Sequence, residues 1–112
     1  MTSPTSQTVS HIFKTSLTHV VLPEGEAARK FVNASLQEPV EQTVLLEEVR
    51  ANAFGLCGGT RQVWLVVRDD PQSVFYDVQT ESFGACWHPD AASGQYIDLG
   101  FRHENPFEMF IA

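Results

Sequence analysis

From residue 61 onward the chain offers apolar, β-branched segments joined by connections too short to hold a helix. "RQVWLVVR" (61–68), "SVFYDVQ" (73–79), "FGACW" (83–87) and "QYIDLGF" (95–101) follow one another, with "DDPQ" and "HPDAASG" among the turns. Parallel neighbours need crossovers of a dozen or more residues, so these strands are expected to run as an antiparallel meander. The 61–68 segment adds a second constraint. Val63, Leu65 and Val67 fall on one face and Trp64 and Val66 on the other, so this strand should be central and covered on both sides.

The N-terminal half reads differently. The first ten residues suggest a loose arm, and "LTHVVL" (17–22) suggests a strand. Pro23 stands where a first helical residue would, with Glu24 and Glu26 suited to the positive end of a helix. Ala28, Phe31, Val32, Ser35 and Leu36 follow at helical spacing, and Pro39 closes the segment, which predicts a helix over 23–36. "TVLLEEVRA" (43–51) reads as a strand, with a helix left open by its mixture of Leu and Glu. At the other end, Asn105-Pro106-Phe107-Glu108 carries a capping side chain, a first-turn proline and an acid at the third position. It predicts a last helical turn with Phe107, Phe110 and Ile111 on one side, an edge strand being the alternative. The fold class expected is α+β. One N-terminal helix packs on a four- to five-stranded antiparallel meander, with a short C-terminal helical turn, in a single domain over 1–112.

Composition supports a globular chain: 43% hydrophobic and 19% charged residues, with eight Phe, two Tyr and two Trp to fill a core. Two cysteines make no disulfide framework. "MTSPTSQTVS" has neither the basic start nor the apolar run of a signal peptide, and no apolar run is long enough to span a bilayer, so the expected location is cytoplasmic.

Charge is the sharper clue. Residues 1–68 carry six acids and six bases, whereas 69–112 carry eight acids against Arg102 alone, so the net charge of −7 lies in the C-terminal part. A field of that sign repels nucleic acid and attracts a basic protein or a cation, although it would also serve solubility alone.

The residues that could carry chemistry do not form a recognisable motif. Cys57, Cys86, His88 and His103 are suitable zinc donors but lack the paired spacing of zinc sites, and no metal or cofactor is expected. Cys57 in "FGLCGGTR" lies in a glycine-rich loop that is no phosphate loop. A small enzyme or ligand-binding domain, with a pocket near Cys57, Cys86 and His88, is the alternative to a binding protein. In "FGACWHPD" (83–90), strand alternation puts Phe83, Ala85 and Trp87 on one face and Gly84 and Cys86 on the other. His88-Pro89-Asp90 then reads as a turn offering Asp90 to solvent.

Acids interleave with aromatics throughout this part. The pattern points to a partner-binding surface of Asp69, Asp70, Asp77, Glu81, Asp90, Asp98 and Glu104, with Trp87 and Tyr96 as anchors. The two-faced strand also permits a homodimer.

The pieces "VWLVVRDD", "VFYDVQTESFGACW" and "YIDLGFRHENPFEMFIA" resemble the C-terminal halves of small bacterial immunity proteins of polymorphic-toxin and contact-dependent inhibition systems. The likeness covers about fifty residues. It implies a small, acidic, cytoplasmic α+β domain that binds and blocks a cognate toxin, frequently a basic nuclease. The function expected is therefore a non-enzymatic, immunity- or antitoxin-like inhibitor of a basic protein, acting without membrane or nucleic-acid contact.

Overall fold

The strand with two apolar faces is β2 (Gly59–Asp69) in the computed structural model, which describes residues 5–88 and 94–111. It is preceded by α1 (Ser6–Thr18), α2 (Glu26–Ala34), β1 (Ser35–Leu46) and α3 (Glu48–Ala53). It is followed by β3 (Gln72–Asp77), β4 (Ser82–Trp87), β5 (Tyr96–Asp98) and α4 (Pro106–Ile111). The chain is thus α+β, with N-terminal helices, a five-stranded meander and a short C-terminal helix. No described helix is long and apolar enough to cross a membrane.

Each strand pairs antiparallel with the next, and the sheet closes into a barrel through β1 and β5. An odd number of strands running alternately up and down brings the first and last together in the same direction, so the closing pair is parallel. Closure gives β2–β4 two buried faces. Val44, Val63, Leu65, Phe75, Cys86 and Tyr96 fill the barrel, as small barrels require. The outer face is covered by α1, α2 and α4, where Val9, Phe13, Phe31 and Phe107 meet Val66, Val67, Val74, Tyr76 and Phe83. A bulge in β2 between Leu65 and Val67 breaks the strand alternation, so Leu65 faces inward while Val66 and Val67 both pack beneath the helices.

The N-terminal half corrects the sequence reading. Residues 6–10 are no loose arm but the first turns of α1, and residues 1–4 lie outside the described residues. Thr5 caps the helix by accepting a hydrogen bond from the Thr8 N–H at 3.3 Å, and Val9, Ile12, Phe13 and Leu17 form its inner stripe. The expected strand at 17–22 is the end of this helix and an irregular link. The helix placed at 23–36 spans Glu26–Ala34 only, because Ser35 already begins β1. Ala28 and Phe31 are buried as expected, whereas Val32 is exposed. Pro39 sits in β1, at the irregularity between Ser35 and Val40 where no backbone donor is needed. The ambiguous stretch 43–51 is both things in turn: strand to Leu46, helix from Glu48.

At the C-terminus the cap forms as read, Asn105 Oδ1 accepting from the Phe107 N–H at 2.9 Å. Pro106, Phe107 and Met109 are buried, while Ile111 faces solvent instead of sharing the Phe107 side.

Phe31 ties these helices together, its ring 5.3 Å from Phe107, 5.4 Å from Phe110 and 6.1 Å from Phe13. Phe31→Ala is expected to cost about 3–5 kcal/mol. Urea denaturation checks it, and a loss near that of a surface substitution would show the helical layer to be dispensable.

Candidate functional site

The acids predicted to form one surface fall into three environments. Asp77 and Asp98 project into the barrel and are 1% and 0% exposed. Arg61 Nη1 donates to Asp77 Oδ2 at 2.7 Å, and Arg102 reaches the same oxygen from Nε at 3.1 Å. Arg102 also forks onto Asp98, Nη1 to Oδ1 at 2.9 Å and Nη2 to Oδ2 at 2.6 Å. The second Asp77 oxygen accepts from the Gln79 N–H, and Asp98 Oδ1 from the Gly100 N–H. Two carboxylates and two guanidinium groups therefore cancel, with their hydrogen-bonding capacity used on one another and on the backbone. The Arg102 guanidinium lies over the Phe75 ring, 4.9 Å from its centroid. Gly84 makes room for it, since a Cβ there would stand 2.5 Å from Phe75 and 2.9 Å from Arg102.

Burial works to raise the Asp77 pKa. The hydrogen bond from Arg61, the charges of Arg102 and Arg61 and the Gln79 N–H outweigh it, and hold the carboxyl below its ordinary value. These two acids are structural and lie out of reach of a partner, which removes them from the expected surface. Tyr96, expected as an exposed anchor, is likewise buried inside the barrel. Its ring stacks on His88 at 4.1 Å and its hydroxyl accepts from Arg68 at 3.4 Å.

The second environment is an open groove of about 680 Å³ beside the β2–β3 turn. Asp69, Asp70 and Trp87 line it together, which brings three of the predicted residues to one place. Trp87 arrives there because it pairs with Gln72 at the end of β4, on the outward face of the strand, and keeps 39% of its surface exposed. Phe110 and Ile111 of α4 supply further apolar lining, and Glu26 and Lys30 of α2 also line it. Sequence reasoning placed none of these last four in the site. The helical spacing of Phe110 and Ile111 was visible, but their neighbourhood to Trp87 depends on how α4 docks.

Glu81 and Glu104 form the third environment. Glu81 sits in the turn between β3 and β4, and Glu104 follows the bridge from His103 to Phe83 at the same end of β4. The six residues of β3 separate this end from the Asp69–Asp70 turn by roughly 17 Å. The expected single acidic surface is thus two separate ones. Asp90 lies outside the described residues.

The thiols do not share a pocket mouth. Cys57 is exposed on the loop before β2, Cys86 is fully buried in the barrel, and both are free. Cys86 was expected on the face opposite Phe83 and Ala85 or under the helix; it lies on that opposite face, which barrel closure makes a second core. Burial, helped by the charge of Asp98, pushes its thiol up to about 12. His88 is buried too, its Nδ1 3.8 Å from Asp70, while its Nε2 and the Ser73 hydroxyl have no hydrogen-bond partner among the described residues. Among the described residues no three His, Cys, Asp or Glu side chains gather as metal ligands. No family profile, curated protein or solved structure matches this chain.

Two outcomes follow from this geometry. The folded Asp77 pKa lies below its ordinary 3.8, so its stabilisation is complete above that value and is lost as the pH falls through the folded pKa. Asp77→Asn should cost about 3–5 kcal/mol near neutrality and flatten the acid limb of the stability profile. Parallel acid limbs in the two proteins would contradict the assignment. Iodoacetamide at pH 8 should modify Cys57 alone in the native protein and Cys86 only after denaturation, read by intact mass. Two adducts on the folded chain would show that Cys86 is accessible.

Proposed function

We propose that this protein is a non-enzymatic acidic binding protein, an immunity- or antitoxin-like inhibitor that blocks a basic protein such as a nuclease toxin in the cytoplasm. The observation that carries the reading is the groove in which exposed Asp69 and Asp70 stand beside the half-exposed indole of Trp87. Large aromatic anchors flanked by charge are the usual centres of protein interfaces. Carboxylates at such a rim speed encounter with a basic partner and make it depend on salt. The sign of the surface disfavours a phosphate backbone as the partner.

The mechanism on this reading is steric and electrostatic. Trp87 would be covered by the partner while Asp69 and Asp70 meet its basic groups, so that the basic face a nuclease uses for its substrate is occluded. No bond is made or broken, which agrees with the withdrawal of Cys86, His88, Asp77 and Asp98 into the core.

The test is capture on the tagged chain at low and high salt, read by mass spectrometry, followed by growth of cells co-expressing the captured protein. One basic, growth-inhibiting protein should be retained at low salt, and its toxicity relieved by the chain. The double substitution Asp69→Lys, Asp70→Lys should slow association about tenfold or more. An acidic partner, or equal retention by wild type and the charge-reversed form, would sink the reading.

A further inference from the structure

We infer that the groove beside Trp87 receives an arginine side chain of the protein partner, its guanidinium laid on the indole and paired with Asp69 and Asp70. The inference rests on the inhibitor reading and narrows it to one kind of contact. The groove carries three carboxylates (Glu26, Asp69, Asp70) against the single ammonium of Lys30. Lys30 lies 3.9 Å from Glu26 on its own helix, which leaves the excess of negative charge at the Asp69–Asp70 turn. Asp69 has no ion-pair partner among the described residues. Among the described residues the ion-pair contacts of Asp70 are long, 3.8 Å to Arg68 Nε and 3.8 Å to His88 Nδ1.

The possible occupants differ in what they leave unpaired. An apolar side chain would cover Trp87 and Ile111 but desolvate the two carboxylates without compensation. An acidic one is repelled. A lysine supplies charge as a compact, strongly hydrated point, whereas a guanidinium is planar, weakly hydrated and forked. It can therefore stack on an indole while donating to two carboxylates.

The chain already contains a filled version of the same constellation. Inside the barrel Arg102 lies over the Phe75 ring, 4.9 Å from its centroid, and is shared between Asp77 and Asp98. The groove presents an indole and two aspartates, with Arg68 only at 3.8 Å from Asp70 and no described arginine pairing with Asp69.

The experiment is a ¹⁵N–¹H titration of the whole chain with acetyl-Leu-Arg-Leu-amide and with its lysine and citrulline counterparts. Citrulline keeps the shape of arginine and removes the charge. The Trp87 indole N–H and the Asp69, Asp70 and Gln72 amides should shift together and saturate with the arginine peptide. The lysine peptide should bind at least about threefold more weakly, and the citrulline peptide should leave the spectrum unchanged. Asp69→Asn with Asp70→Asn, and separately Trp87→Phe, should each weaken the arginine peptide, the spectrum itself showing that each variant is folded. Equal binding of the lysine peptide, shifts confined to Glu81 and Glu104, or no shifts at all would overturn the inference. Those outcomes leave the inhibitor reading intact if a basic partner is still captured. If none is captured although the arginine peptide binds, the inhibitor reading fails and the groove's arginine preference stands.

Discussion

The barrel depends on the pairing of Asp77 and Asp98 with Arg61 and Arg102. Strand β5 is three residues long and meets β1 through two residue pairs and β4 through two. Backbone hydrogen bonds on that scale are a weak closure, and the side-chain network adds what they lack. Asp98 on β5 is gripped at both oxygens by Arg102, which also holds Asp77 on β3, which in turn holds Arg61 on β2. Three strands and the segment after β5 are thereby fixed in register by one neutral cluster. Removing any single member strands an opposite charge in a largely apolar interior, so the cluster works as a unit. The Asp98 side chain also accepts from the Gly100 N–H and so shapes the turn that brings Arg102 back over Phe75.

The strands of the second half were legible because their signal is local. Two-faced apolarity in 61–68 and short connections leave few alternatives, and each expected strand lies within a few residues of its place. Barrel closure was not legible. It rests on Val44 meeting Tyr96 and Leu45 meeting Ile97, partners separated by half the chain, and no period in the sequence reports such a pairing. The two-sided burial of β2 was read as coverage by layers above and below; a strand in a closed wall meets the same condition. The helix α1 was missed although its stripe of Val9, Ile12, Phe13 and Leu17 was present, because its intervening polar residues resemble an unstructured terminus in composition. At 17–22 the β-branched residues have high strand propensity, but the α1 helix that precedes them runs on to Thr18.

The candidate site divides along the same line. Asp69, Asp70 and Trp87 converge because a turn and the strand end beside it are adjacent in any meander. Asp77 and Asp98 were misassigned because a carboxylate in a strand looks exposed until its partners are known. Arg102, the one base among the last forty-four residues, was the available warning. A single cation amid eight acids has many places to go. Taking it out of solvent is costly unless carboxylates go with it, and the two buried guanidinium groups, Arg102 and Arg61, are matched by two aspartates inside the barrel. With Arg61 buried as well, the surface loses two negative charges along with two positive ones, and the part from residue 69 onward gives up two acids and its one arginine.

That exchange alters what the C-terminal charge can do. Of the eight acids from residue 69 onward, Asp77 and Asp98 are withdrawn to close the barrel, while Asp69 and Asp70 stand at one end of β3 and Glu81 and Glu104 near the other. Each end alone is a modest field, and a carboxylate in water discriminates poorly among cations. What distinguishes the Asp69–Asp70 end is the indole beside it. An aromatic face lowers the local dielectric, excludes water from one side of an incoming cation and rewards a flat one over a spherical one. On the proposed reading, selectivity at that groove would come less from net charge than from the placement of Trp87. That placement is fixed from within, by the pairing of β4 with β3 and β5, the two strands that Arg102 ties together through Asp77 and Asp98.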